Sequence, residues 1–81
     1  MNRELAEMRG HLVEKEEQLK TLALSIRGLV ASVRSALSPY VEIDDLSCDV
    51  AAQQAVELAE KQIRYKELAS EIKALHNALG R

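Results

Sequence analysis

The chain has 81 residues, 47% hydrophobic and 30% charged, with a formal net charge of −2, two tyrosines and neither Phe nor Trp. That length holds one small domain with a marginal core, and a near-neutral charge excludes a whole-protein field that gathers nucleic acid or anionic membrane. The one cysteine excludes an internal disulfide, so no sign of an oxidising compartment is present.

Ala, Leu, Glu, Lys and Arg dominate, as in long helices and coiled coils. The first residues, Met-Asn-Arg-Glu-Leu, lack the apolar core of a signal peptide, and Asn2 stands where myristoylation needs Gly. The most apolar stretch, residues 22–33, is interrupted by Ser25, Arg27, Gly28 and Ser32. It falls short of the ~20 apolar residues of a membrane span. The expectation is a soluble, cytoplasmic protein with no membrane partner.

The first element, about residues 2–37, carries a heptad seam. Leu5, Leu12, Leu19, Ile26 and Val33 recur at the a position, and Met8, Lys15, Leu22, Leu29 and Ala36 at d. Pro39 ends the helix, because it has no N–H to donate and disfavours helical geometry at Ser38. A connector follows at about residues 38–47. It holds four large apolar side chains, Tyr40, Val41, Ile43 and Leu46, among aspartates. The expectation is that these four fold over the end of the molecule and plug it; the alternative is that Tyr40 adds one last seam residue after Val33.

The second helix, about residues 48–79, repeats the pattern with Ala51, Leu58, Tyr65, Ile72 and Leu79 at a and Gln54, Lys61, Leu68 and Leu75 at d. Asp44, Asp45, Ser47 and Asp49 offer N-caps, and Gly80 is placed to close the C-terminus. Folding the chain back about the connector sets residues level when their numbers total about 87. Leu12 then meets Leu75, Leu19 meets Leu68, and Leu29 meets Leu58, so every a residue faces a d residue. The fold class predicted is all-α: one antiparallel, coiled-coil-like two-helix hairpin spanning residues 1–81, dimerising into a four-helix bundle.

A two-helix hairpin needs only one narrow seam. The connector-proximal half has more apolar residues than that seam uses: Ala23, Leu24, Val30, Ala31 and Leu37 on helix one, and Val50, Ala52, Ala55, Val56, Ala59 and Ile63 on helix two. In water they predict a contiguous interaction patch, covered by a second copy with twofold symmetry or by a helix of another protein. Ala23, Leu24, Val30, Leu37, Val56 and Ile63 are the candidate association residues.

The remaining candidates carry little chemistry. Lys15, Lys61 and Gln54 sit on the seam, where the lysines either snorkel or specify register. His11 and His76 come level at the open end without a firm third metal ligand, so no metal or cofactor is expected. Cys48, at a helix N-terminus among aspartates, reads as a partly buried small residue rather than a reactive thiol. Lys20, Arg27 and Arg34 recur every seven residues as a sparse basic stripe with no aromatic beside it, so nucleic acid is not the expected partner. Ser25, Gly28, Ser32 and Ser35 make a small-residue stripe.

No catalytic constellation, glycine-rich phosphate loop or small-molecule site is apparent, and an enzyme is not expected. In size and pattern the chain resembles the small helical-hairpin proteins found among secretion-system chaperones and prophage accessory proteins. That resemblance brings no site residues with it. The function expected is a non-enzymatic interaction or structural module that self-associates through its connector-proximal half. The alternatives are a small chaperone or accessory protein binding a partner helix, and a weak nucleic-acid accessory using the basic stripe.

Overall fold

The computed structural model describes residues 2–80. Helix α1 spans Asn2–Ala36, a short 3-10 turn spans Ile43–Asp45, and helix α2 spans Cys48–Ala78. The two long helices pack antiparallel against each other as a hairpin measuring 64 × 16 × 15 Å. Its radius of gyration is 18.2 Å, against about 12 Å for a compact domain of this length. The molecule is a rod.

The seam follows the heptads. Leu12 and Leu68 are 2% exposed and Ala51 is buried with them, while the other a and d residues are half-buried apart from Leu5, which is exposed near the open end. Half-burial is what one seam between two helices provides, because each side chain keeps a flank toward water. Two inter-helix hydrogen bonds report the register. Lys15 Nζ donates to Glu71 Oε1 at 2.7 Å, and Ser32 Oγ donates to Gln54 Oε1 at 2.9 Å. Both pairs have numbers totalling 86, within one residue of the fold-back expected from the sequence.

The connector is closed by backbone bonds. Val41 N–H donates to Ser38, Asp45 N–H to Glu42 and Leu46 N–H to Ile43, and Ser47 N–H reaches back to the carbonyl of Ala36 at 3.3 Å. The expected plug does not form. Tyr40 is 94% exposed and Ile43 85%, Val41 is also exposed, and only Leu46 is partly covered. The bond from Ser47 N–H to the Ala36 carbonyl joins the connector's two ends at the last seam layer, so the residues between them loop away from the seam. The same exposure rules out Tyr40 as a final seam residue.

The residue preceding α2 is Ser47, whose side chain makes no capping hydrogen bond, and the helix starts on the bond from Ala51 N–H to the Ser47 carbonyl. Asp49 in the first turn suits the positive helix end. Cys48 is exposed rather than partly buried, because it lies on the first turn beyond the Ala51 layer. Gly80 adopts φ +74° directly after the last turn, the left-handed conformation that a β-carbon disfavours.

Candidate functional site

With about 3.6 residues per turn, positions e and b flank the seam on one side and g and c on the other, while f points away from the partner helix. In an antiparallel pair, e faces e and g faces g. The side-chain contacts agree: His76 Nε2 lies 4.0 Å from Glu16 Oε2 across the e side, and Lys15, Arg64 and Glu71 cluster on the g side.

On the g side, Glu71 bridges the helices. It accepts from Lys15 Nζ and lies 3.3 Å from Arg64 Nη1, which is 3.9 Å from Glu67. The hydrogen bond from Lys15 holds the Glu71 carboxyl below its ordinary value, aided by the charges of Lys15 and Arg64 and opposed by desolvation. Lys15 therefore does more than snorkel, since its ammonium ties one helix to the other. Gln54 on the seam is satisfied by Ser32, which assigns that member of the small-residue stripe to the hairpin; Ser25, Gly28 and Ser35 stay exposed.

The six candidate association residues do not form one patch. Leu24 is 76% exposed on the back of α1, whereas Val56 and Ile63 are exposed on the back of α2, the opposite edge of the hairpin. Ala23, Val30 and Leu37 share the e side, with Ala23 and Val30 half-buried and Leu37 exposed. The sequence count of apolar residues was right, but helical period divides them among three directions. The e side has the continuous surface. There Ala23, Ile26, Arg27, Gln62 and Tyr65 line an open groove of about 280 Å³. A larger groove of about 530 Å³ on the g side is lined by Leu22, Lys61, Arg64 and Leu68 among others. Both are open surface concavities, larger than a dry seam suggests.

Charge is segregated by side, which the basic stripe alone did not reveal. Lys20, Arg27 and Arg34 occupy b on α1, and antiparallel pairing brings Lys66 and Lys73, at b on α2, to the same side with Arg9 at e. Glu16 is the one carboxylate among them. The g and c side holds Glu4, Glu7, Glu14, Glu57, Glu60, Glu67 and Glu71 against Arg64. His11 is at g and His76 at e, so the two histidines are level yet on opposite sides, and no group of three potential metal ligands occurs among the described residues.

A second asymmetry runs lengthwise. Between Arg34 and Lys61 there is no lysine or arginine, while Glu42, Asp44, Asp45 and Asp49 surround the exposed Tyr40, Val41 and Ile43. The tip is acidic and apolar together. That gap in the cations is plain in the sequence; its meaning depends on the connector standing outward. No described helix is long and apolar enough to cross a membrane. Compared with known proteins, the chain matches no family model, no curated protein and no solved structure.

Proposed function

We propose that this hairpin is a non-enzymatic interaction module that self-associates through its connector-proximal half into a four-helix bundle. The observation that carries the reading is surface. The chain exposes 6336 Å², where a compact monomer of 9.0 kDa exposes about 4,900 Å². The excess is on the order of 1,500 Å², and a stable interface takes about 800 Å² from each partner. Part of that excess is a large apolar surface at one end: Leu37, Tyr40, Val41, Ile43 and Val50 are all exposed there. With only three buried apolar residues among those described, Leu12, Ala51 and Leu68, the isolated hairpin has little core of its own, and pairing would supply one.

The test is absolute mass by light scattering over a tenfold concentration range, for the native chain and for Val30→Glu. A native mass twice that of the chain, falling to a monomer in the variant with helical circular dichroism retained, is the expected result. A native monomer at every concentration ends the reading.

A further inference from the structure

We infer that two copies pair antiparallel, the acidic, apolar connector tip of each seating on the basic side of the other, with Tyr40 entering the groove at its Ala23 and Tyr65 end. The inference rests on the self-association reading and specifies its geometry.

Three observations converge on that occupant. The tip presents Tyr40 and Ile43 almost wholly to water, ringed by Glu42, Asp44 and Asp45. The groove on the e side offers an apolar floor of Ala23, Ile26 and Tyr65, with Arg27 at its rim. The hairpin register sets Lys66 level with Lys20, so two ammonium groups lie just beyond that groove. Surfaces of opposite charge that also carry apolar anchors steer docking and fix its orientation.

The lengths also agree. Val30, on the e side, is ten residues from Lys20 and ten from Tyr40. An antiparallel pair centred on Val30 therefore carries each tip to the Lys20 and Lys66 level of its partner. The overlap is ~30 Å of helix across a rod 16 Å wide and 64 Å long. A flat strip of that size covers only about 480 Å² of the ~800 Å² per partner of a stable dimer, so the seated tips must supply the rest of the contact, while parallel pairing would set acidic tip against acidic tip.

Three variants test this by sedimentation equilibrium: the tip reversal Glu42→Lys/Asp44→Lys/Asp45→Lys, the band reversal Lys20→Glu/Lys66→Glu, and both sets in one chain. Each reversal alone weakens the dimer at least about tenfold by creating like-charge contacts, and the combined chain recovers it. Circular dichroism confirms that each variant remains helical. A native dimer that neither reversal weakens overturns this docking and leaves self-association standing. So does a combined chain that is helical yet stays dissociated. A native chain that is monomeric throughout overturns both readings; if it then binds heparin and Lys20→Glu/Lys66→Glu abolishes the binding, the basic side belongs to a polyanion.

Discussion

At the scale of single residues, two positions carry the hairpin in different ways. Leu68 is fully buried midway along α2, opposite Leu19 in the register. Leu68→Ala leaves a cavity in the best-packed layer, and a loss of about 2–5 kcal/mol is expected in urea unfolding at fixed chain concentration. Glu71 works through charge. Its folded pKa lies below the ordinary 4.5, so its contribution is fully present above that value and is lost as pH falls through the folded pKa. The melting temperature of Glu71→Gln should therefore lie below the native one at pH 7, and the difference should vanish in acid. A difference that persists unchanged in acid would show that the carboxylate's pairing with Lys15 and Arg64 is not its source. Lys15 was legible as a seam exception; its partner was not, because Glu71 sits at a flank position that only antiparallel pairing brings near.

At the scale of the elements, the helices follow from the chain's own periodicity, and their ends from local chemistry. Pro39 and the Ser38 to Val41 turn stop α1, and Gly80 stops α2. Gly28 has no such task. It is exposed in the interior of α1, and a β-carbon built there meets nothing within 4 Å. Gly28→Ala should stabilise the hairpin by about 1 kcal/mol, since glycine loses more backbone freedom in a helix than alanine does. Chemical denaturation at fixed concentration measures this. Because Gly28 lies on the side away from the inferred dimer contact, the association constant should not change. A gain in stability with weakened association would place the second copy on the small-residue stripe instead.

At the scale of the whole molecule, a rod with one thin seam is short of core and long on surface. The two charge asymmetries, side against side and tip against middle, follow from one topological event: the chain turning back at Ala36 and Ser47. Opposite charges in the inferred dimer contact would make association sensitive to screening. Raising salt from about 50 mM to about 500 mM shortens the Debye length severalfold and should weaken a tip-to-band dimer measurably. An association held by apolar contacts alone would strengthen or stay constant over the same range.

Sequence by itself determined the two helices, their seam residues and, to within one residue, their register, because the heptad repeat encodes burial directly and two repeats of opposite direction align in few ways. Residue counts also announced a surplus of apolar surface near the connector. Tertiary structure alone decided where that surplus points. Tyr40, Val41 and Ile43 stand outward because the Ser47 to Ala36 backbone bond joins the connector's ends beneath them. Leu24 parts company with Val56 and Ile63 because the backs of two paired helices face opposite ways. Lys66 and Lys73 join Lys20, Arg27 and Arg34 because antiparallel pairing matches like flanks. Those three facts arise from contacts between residues far apart in the chain, which no local pattern contains.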